Sequence, residues 1–589
     1  MEELQHFYTA QREKHQKELQ QVKKRLGLLA TFRLSVFVAF WFAIYLFWNA
    51  TALVAIIPLL IALFLYLVNQ FSNVKRHKKY LERLIAINTT ELEILDRRYQ
   101  DLPDGKEFLK PNHPYAQDLD LFGRGSFYQY ANRTTLRQGW KVFSNLLLDG
   151  YPKDIAKKQE AIQELAKLSE WRQHFSALAG ETQPKISPDV VSVWMKNHKS
   201  FMPKWGGIAP LIFTSLSILL IVLAFSGWVP ESLILFWYVL GVGIVGRYAK
   251  KIIAFTARVS EAQDTIQQHQ RLIYELEEHS FNSELLQEIQ KKLEVKGERT
   301  SKILKRFSKN MTMLEQQYNL MISMFAQGLG LYSLYYAYKV ESWIEKYGQD
   351  VEGWFSAIAQ FDAYITLGTY AFNHPDHTYP SLVQGKTVLK AKEVGHPLVD
   401  PKKNVLNDFE IGKGRFCIVT GANMAGKSTF LRAVALQIVM ANMGLPVLGK
   451  NVKYAPVRLL TSMRSSDSLA DETSYFYAEL KRLKYIVEEL EKDDCFVVLD
   501  EILKGTNSVD KAEGSKKFVE RLVRNGSTGM VATHDLSLCT LADQLPEVEN
   551  RYFDAQIVNG ELFFDYKFKE GVCQNMNASF LLKTMGIVD

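Results

Sequence analysis

Two long stretches of this chain contain no charged residue, and they dominate its pattern of hydrophobic and polar positions. The first, residues 34–74, has no Asp, Glu, Lys or Arg and is about twice as long as one membrane helix requires. The polar interruption near its middle is the Asn-Ala-Thr sequence at 49–51. We therefore predict two membrane spans, about 30–48 and 52–69, that form a hairpin. A buried globular core is the alternative.

The second uncharged stretch lies later in the chain. Residues 205–230 carry no charge and are long enough for one span. Residues 232–246 are fewer and are interrupted by glycine, so they predict a weaker fourth span that returns the chain across the membrane. Lys and Arg flank both hairpins and are absent from their short tips, which places the flanks in the cytoplasm. We therefore expect an integral protein of the plasma (inner) membrane whose soluble domains are cytoplasmic.

Elsewhere the hydrophobic positions recur mostly with helical spacing. The pattern predicts helices over 75–204, with a loop around 102–118. Residues 260–309 are highly charged with sparse apolar positions, which predicts an exposed helical arm. After a proline-containing break at 375–380, short apolar strands alternate with helices from about residue 390, a pattern typical of an α/β domain.

Composition and charge change this outline little. The chain has 589 residues, 47% of them hydrophobic, and a net charge of +7, which permits contact with nucleic acid or anionic lipid and demands neither. Its four cysteines lie in the last third at spacings that fit no metal site, so we predict reduced thiols of a cytosolic domain. Residues 1–29 are charged and lack a cleavable apolar region, which predicts an N-terminal charged helix.

The most specific chemical motif is the sequence Gly-x-x-x-x-Gly-Lys-Ser at 421–428. The apolar run before it predicts a buried strand, and 430–440 predicts a helix. In this context the loop binds phosphate, because its N–H groups and the helix dipole face the anion. Lys427 is expected to reach the outer phosphates of ATP, and the Ser428 hydroxyl to hold Mg²⁺. A glycine turn without a ligand is the alternative. The predicted nucleotide-binding residues are Gly421, Ala422, Asn423, Met424, Ala425, Gly426, Lys427, Ser428 and Thr429.

Two further strand ends carry polar residues in the order that an ATPase requires. The apolar run 495–499 precedes Asp500 and Glu501, the Walker B arrangement. We predict that Asp500 holds Mg²⁺ through its water shell and that Glu501 polarises the attacking water as general base. The strand 529–532 leads to His534, which is expected to contact the γ-phosphate. Single acids and histidines at strand ends are often structural, but their order after the loop favours function. The predicted catalytic residues are Glu501, Lys427 and His534.

These motifs resemble the ATPase domain of the MutS family of DNA mismatch repair proteins, within the ABC class. The loop contains Asn423-Met424 where ABC transporters have Ser-Gly. The resemblance implies that Ser474, in the family's signature segment, reaches the γ-phosphate of the opposite subunit, and therefore that the protein is a homodimer. Glu472 holds the usual signature glycine position, which is a departure from the family. The segments similar to the family's Arg-His-Pro segment, signature, Walker B and D-loop run, and closing hairpin are 395–398, 467–476, 500–506 and 566–572.

The resemblance extends to the family's helical core, so that it covers about 115–180 and 350–589, with the end of the core at 354–370. MutS proteins sense mismatches with an N-terminal domain that carries Phe-x-Glu, and no such sequence occurs before Asp118. Residues 568–570 match Phe-x-Glu, but they lie in the C-terminal hairpin that resembles the family's, so we discount them. We therefore expect a member without the mismatch-recognition domain, in which ATP-driven conformational change is implied more firmly than mismatch recognition.

The expected fold class is α + α/β, with a helical membrane-anchored region, a MutS-like helical core and a C-terminal ABC-type P-loop ATPase domain. The expected function is a dimeric ATPase with ATP and Mg²⁺ as cofactors, and membrane lipid and DNA as candidate partners. A membrane scaffold with nucleotide-gated dimerisation and half of an ABC transporter are the alternatives. The predicted regions are 1–29 (charged helix), 30–74 (hairpin), 75–204 (core-like), 205–247 (second hairpin), 248–380 (arm and end of core) and 381–589 (ATPase).

Overall fold

The computed structural model describes residues 2–46, 53–181, 186–295, 297–463, 475–504, 506–558 and 561–574. A helical body comes first and an α/β domain follows it. The helices of the body are α1 (Glu2–Leu46), α2 (Leu53–Leu95), α3 (Phe127–Ala131), α4 (Arg137–Leu148), α5 (Ile155–Lys167), α6 (Ser169–Ala179), α7 (Pro188–Asn197), α8 (Ala209–Phe225), α9 (Ser232–Glu278), α10 (Glu284–Lys291), α11 (Thr300–Glu315), α12 (Leu320–Gly330), α13 (Tyr332–Tyr347) and α14 (Val351–Asn373). Between α10 and α11 lies a small hairpin of β1 (Glu294–Val295) and β2 (Glu298–Arg299).

The longest helices begin or end in the uncharged stretches. Among the described residues, three helices are long and apolar enough to cross a membrane by length and composition: Glu2–Leu46, Ile56–Leu95 and Ser232–Glu278. The shorter apolar helix α8 precedes α9. The predicted region boundaries after residues 29, 74 and 247 fall inside α1, α2 and α9, so continuous helix joins each apolar segment to its charged neighbour. The predicted hairpin tip at 49–51 lies outside the described residues.

The prediction of an exposed arm at 260–309 is wrong. In α9, Ile266, Leu272 and Ile273 are buried, and in α11 Ile303 and Phe307 are buried with them in the main hydrophobic core. The apolar positions are sparse but keep helical spacing, so each helix turns one narrow stripe inward and its charges outward. This stretch therefore completes the core of the body.

Helix α14 forms the centre of that core. It is buried on nearly every face, including Trp354, Phe355 and Phe361, and it packs against α4, α5 and α7. The predicted loop around 102–118 lies within the irregular segment between α2 and α3. Because α14 ends just before the α/β domain begins, it physically connects the two parts of the chain.

The C-terminal domain has two main sheets. The helices are α15 (Lys427–Asn442), α16 (Tyr475–Leu490), α17 (Ser508–Arg524) and α18 (Leu541–Gln544). The strands are β3 (Ser381–Leu382), β4 (Thr387–Val394), β5 (Asn407–Gly412), β6 (Phe416–Gly421), β7 (Lys450–Tyr454), β8 (Arg458–Ser462), β9 (Cys495–Asp500), β10 (Thr528–Ala532), β11 (Val548–Phe553), β12 (Gln556–Val558), β13 (Glu561–Phe563) and β14 (Phe568–Glu570).

The larger sheet has the strand order β14-β11-β6-β10-β9-β8, and all its neighbours are parallel except the antiparallel pair β14–β11. The smaller sheet has the order β3-β7-β4-β5. Strands β6, β9 and β10 are buried along almost their whole length, as expected for parallel strands covered on both faces. Their carboxyl ends lie together at one edge, where ligands bind in open α/β sheets.

The C-terminal segment and the cysteines of this domain can be compared with the sequence predictions. The segment 566–572 does not fold back on itself: it contains β14, which pairs with β11, while the hairpin is formed by β12 and β13. All four cysteines, Cys417, Cys495, Cys539 and Cys573, are free and buried, which confirms the predicted thiols.

Candidate functional site

The predicted strand, loop and helix are present at the carboxyl end of β6. The strand ends at Gly421 and α15 begins at Lys427. A Cβ on Gly421 would lie 2.6 Å from the carbonyl oxygen of Phe553, so only glycine fits there. Met424 has a φ of 66° although it is not a glycine, and its side chain is 77% exposed. Such strained backbone is typical of ligand-binding loops.

The Lys427 side chain lies inside the loop and is hydrogen-bonded to its backbone. It is only 5% exposed, and its Nζ donates to the carbonyl oxygens of Gly421 at 2.8 Å and Ala422 at 3.0 Å. Burial lowers the pKa of Lys427, and the carboxylates of Glu501 and Asp500 oppose that shift. The loop thus surrounds a positive charge that a phosphate group could share.

Asp500 ends β9 beside the start of α15. Its carboxylate accepts a hydrogen bond from the Ser428 hydroxyl; burial raises the pKa of Asp500, and this hydrogen bond opposes the rise. Two adjacent oxygen ligands suit Mg²⁺, which prefers oxygen and completes its shell with water and phosphate. The described residues contain no group of three or more His, Cys, Asp and Glu that could hold a metal ion, so Mg²⁺ binding here would depend on oxygens of the nucleotide.

Glu501, just after β9, and His534, just after the neighbouring strand β10, form a hydrogen-bonded pair. His534 Nε2 lies 2.8 Å from Glu501 Oε1, and Lys504 Nζ lies 3.6 Å from Glu501 Oε2. The hydrogen bond from His534 lowers the pKa of Glu501 to about 2, against the effect of burial. Glu501 is therefore a carboxylate throughout the physiological pH range, as a general base must be.

The same nitrogen of His534 also lies 3.2 Å from Lys427 Nζ. One ring nitrogen cannot donate to Glu501 and accept from Lys427 at once. We assign the proton to Nε2, because the carboxylate is the stronger acceptor and Lys427 already donates to two carbonyls. His534 therefore orients Glu501, and its contact with Lys427 is close packing of the loop against the strand end.

Glu479 on α16 holds the turn that follows Glu501. Its carboxylate accepts from the backbone N–H groups of Leu503 at 2.6 Å and Lys504 at 3.1 Å. Glu501 and Leu503 have φ values of 50° and 61°, so the turn needs such support. Sequence reasoning missed Glu479, because nothing near it in the sequence marks it as a partner of the turn.

A cavity of about 730 Å³ opens above the loop, within the usual range of small-molecule sites. Glu501 and His534 line one side, and His396, Val399 and Tyr566 line another. Burial lowers the pKa of His396 to about 4, so its ring is uncharged at neutral pH and can face an aromatic base. The segments containing His396 and Tyr566 had been predicted only as similar to the family, without a role in the site.

The structure brings nearly all predicted site residues together. Residues 422–429 line the cavity, and the carbonyl of Gly421 holds Lys427. Ser428 meets Asp500, and Glu501 meets His534. Ser474 and most of the predicted signature segment lie outside the described residues, as does Gly505 of the run after Glu501.

Comparison with known proteins agrees with this geometry. The sequence profile described as MutS domain V matches residues 417–585. The DNA mismatch repair protein MutS of Thermotoga maritima is 30% identical over 237 residues, which cover 39% of this chain and 29% of that protein. The DNA mismatch repair protein Msh2 of Dictyostelium discoideum is 30% identical over 241 residues, covering 38% and 25%. The DNA mismatch repair protein MutS 2 of Halobacterium salinarum is 29% identical over 241 residues, covering 39% and 27%. The chain thus spans less than a third of the length of these relatives.

Proposed function

We propose that this chain, which belongs to the MutS family through its C-terminal domain, binds and hydrolyses ATP in an ABC-type dimer anchored to a membrane. The observation that carries the proposal is the convergence of Lys427, Glu501 and His534 on one cavity above a phosphate-binding loop. A structural turn would not need a buried lysine and an ionised glutamate at the same opening.

Each residue has a defined task in this proposal. Lys427 exchanges its carbonyl partners for oxygens of the outer phosphates, while the loop N–H groups and the start of α15 bind the remaining charge. Ser428 and Asp500 would hold Mg²⁺, which would neutralise charge on the phosphates. Glu501 accepts a proton from the attacking water, and His534 keeps the Glu501 carboxylate oriented toward that water.

We further propose a homodimer. Ser474 lies in the segment that resembles the family's signature, and that segment is useful only when it faces a nucleotide held by another subunit. Glu472 stands at the usual glycine position, so the contact between Ser474 and the opposite subunit is tested directly. Cross-linking of cysteines introduced at Ser474 and Asn423, in the presence of ATP, would detect the facing arrangement.

The membrane anchor is supported by the long apolar helices α1, α2 and α9. Their apolar ends carry many exposed large side chains, including Trp41, Phe42 and Phe236, which water would not favour. We propose that these ends and α8 lie in the plasma (inner) membrane and that the helical body and ATPase domain are cytoplasmic. Fractionation followed by protease protection of tagged termini tests this placement.

DNA is the proposed ligand because the relatives are DNA mismatch repair proteins. The experiment is ATPase turnover and binding of the detergent-solubilised full chain with duplex, mismatched and branched DNA. We expect binding and a change in turnover with at least one of them. Binding to none of them would overturn the DNA part of the proposal while leaving ATP hydrolysis to stand on its own measurement.

A nucleotide-gated membrane scaffold is the second candidate, and one contact favours it. Arg97, just after α2, donates to the carbonyl oxygens of Pro397 at 3.1 Å and Val399 at 3.3 Å, and Val399 lines the nucleotide cavity. The helix that begins in the apolar segment is thus connected, through Arg97 just after its end, to a residue that lines that cavity. Slow turnover that no DNA alters, together with ATP-dependent dimerisation, would support this candidate instead.

A further inference from the structure

A second cavity, of about 300 Å³, lies where α1, α2, α6 and α14 meet. None of its lining residues belongs to the nucleotide cavity. Four charged side chains line it: Arg83 and Glu91 from α2, Arg133 after α3, and Arg172 from α6. The cavity walls therefore carry three positive charges and one negative charge.

Arg172 is the unusual member of this group. It is only 4% exposed, yet within the described chain no carboxylate lies within ion-pair distance of it. Its guanidinium donates to the Thr369 hydroxyl and to the Ala166 carbonyl at 3.3 Å, while its buried Nε has no partner. A buried cation normally has a counter-ion in direct contact. Glu91 acts on Arg172 only from beyond ion-pair distance, so the guanidinium lacks a directly bound oxyanion within the described chain.

The single carboxylate of the cavity does not fill that role. Glu91 Oε1 accepts from Arg133 Nε at 2.6 Å, and its Oε2 accepts from Asn373 at 2.8 Å. Glu91 therefore pairs directly with Arg133 and acts on Arg172 only from a greater distance. With three arginines and one carboxylate, the cavity keeps a surplus of positive charge at Arg172 and Arg83. Arg83 is exposed at the edge of the cavity and makes no ion pair in the described part of the chain.

The remaining lining indicates the size and nature of an occupant. Hydroxyl groups of Thr90 and Ser176 provide neutral hydrogen-bonding partners, and Ile87, Leu102 and Pro103 provide an apolar wall. Arginine forks match the oxygen pairs of phosphate and carboxylate groups. The lining therefore suits a compact ligand that has an oxyanion at one end and a small organic body at the other.

We propose that this cavity binds a small soluble phosphate monoester, with its oxyanion on Arg172 and Arg83. Duplex DNA is excluded because Arg172 is almost completely buried. A lipid headgroup is disfavoured if the membrane placement proposed above holds. Arg83 and Thr90 follow Val74, the last residue of the uncharged stretch, by 9 and 16 residues, or roughly 13 to 24 Å of helix. The site is therefore on the cytoplasmic part of the body.

The test uses the full chain in detergent carrying Lys427→Ala, so that the phosphate loop does not compete for the probe. Inorganic phosphate and glycerol 3-phosphate are titrated by calorimetry and by thermal unfolding. We expect saturable binding near one equivalent, tighter for glycerol 3-phosphate. Because a charge-assisted contact is lost, Arg172→Gln should weaken binding at least about tenfold.

Two further variants keep the result interpretable. Arg83→Gln, at an exposed position that cannot disturb folding much, should weaken binding about threefold. Arg271→Gln removes a partly exposed arginine of α9 that pairs with Glu181 outside the cavity, and it should bind the probes like its parent. The proposal would be overturned if the parent showed no saturable binding. It would also be overturned if the Arg172 and Arg83 variants bound the probes as tightly as the parent does. So would binding of phosphatidate vesicles without binding of glycerol 3-phosphate.

Discussion

The loop at 421–428 and the helical body both contain backbone N–H groups that need acceptor oxygens, but they differ in where the acceptor comes from. In the body the protein supplies it as the carboxyl group of a side chain. Asp362 accepts from the N–H groups of Thr135 at 3.0 Å and Leu136 at 2.8 Å. Glu341 likewise accepts from the segment before α8, with Met202 N–H at 2.9 Å. In the described chain no side chain accepts from the N–H groups of 423–426.

This difference separates an acceptor built into the fold from one that a ligand would bring. Buried carboxyl groups that satisfy N–H groups of distant segments hold the body together, because an unsatisfied N–H in the core is costly. The loop leaves the equivalent groups facing an open cavity. Under the proposed function, the same chemistry stabilises the fold in one region and binds a ligand in the other, so variants of each region should fail in different assays.

The largest expected effect is that of Lys427→Ala. It removes the one buried cation of the loop, so ATP should bind at least about 100-fold more weakly and turnover should become undetectable. The unfolding temperature without nucleotide should change little. Titration with a fluorescent ATP analogue measures this, with the exposed lysine variant Lys484→Ala as control. Binding at the parent affinity would show that the loop is not the nucleotide site.

Glu501→Gln should separate binding from chemistry. The amide keeps the shape but cannot accept the proton, so turnover should fall by about 100- to 1000-fold while ATP still binds and the dimer accumulates. Turnover assays and light scattering with ATP measure the two effects. Glu513→Gln, on the exposed surface of α17, is the matched control. Hydrolysis at the parent rate would refute the assignment of the base.

A capping carboxylate of the body should instead change stability with pH. Burial raises the pKa of Asp362 from 3.8 to about 7, so the folded state holds this proton more tightly than the unfolded state. Its contribution is therefore present at low pH and is lost as the pH rises toward about 7. Each pKa unit corresponds to about 1.4 kcal/mol, and the loss should amount to a few kcal/mol. Asp362→Asn should flatten this slope.

Glu341 offers the matched control for that measurement. Burial opposes its ionisation, but hydrogen bonds from His198, Ser200 and the backbone outweigh burial and lower its pKa. Its contribution is therefore lost only as the pH falls below its unfolded value. Thermal unfolding between pH 5 and 8 should show a changed slope for Asp362→Asn and an unchanged slope for Glu341→Gln. The opposite pattern would refute the assignment of the pH dependence to Asp362.

Glu479→Gln should give the smallest effect, because Glu479 supports the turn beside Glu501 without taking part in the reaction itself. Glu479 is a carboxylate cap like those of the body, yet it holds the turn beside Glu501. We expect kcat to fall about three- to tenfold, roughly 1 kcal/mol, with an unchanged KM for ATP. If the variant lost thermal stability while its kcat stayed at the parent value, Glu479 would be a purely structural cap.

The two regions also differ in how much their sequence revealed. Lys427 and Ser428 were predicted from the Gly-x-x-x-x-Gly-Lys-Ser motif. Asp500, Glu501 and His534 were predicted because each lies at or just after the end of a short apolar strand, and parallel strands bring such ends together. The body gave no comparable local signal. The caps made by Asp362 and Glu341 join residues more than 100 positions apart.

The same contrast explains the wrong prediction of an exposed arm. Within residues 260–309 the charged residues outnumber the apolar ones, so composition indicated solvent exposure. Burial depends instead on whether the few apolar positions share one helix face, and Ile266 and Ile273 do. The walls of the nucleotide cavity at His396 and Tyr566 were likewise beyond local reasoning, since they come from separate parts of the domain.

Helix α2 has one more consequence. It is unbroken over 43 residues, about 65 Å, from the apolar hairpin to the residues just before Arg97. In a membrane-anchored chain, a change in bilayer thickness alters the tilt of an apolar helix. For a rigid rod of this length, a tilt of about 5° displaces the far end by about 6 Å. The Arg97 contact would carry that displacement to the wall at Val399, so the affinity for nucleotide would vary with the thickness of the surrounding lipid.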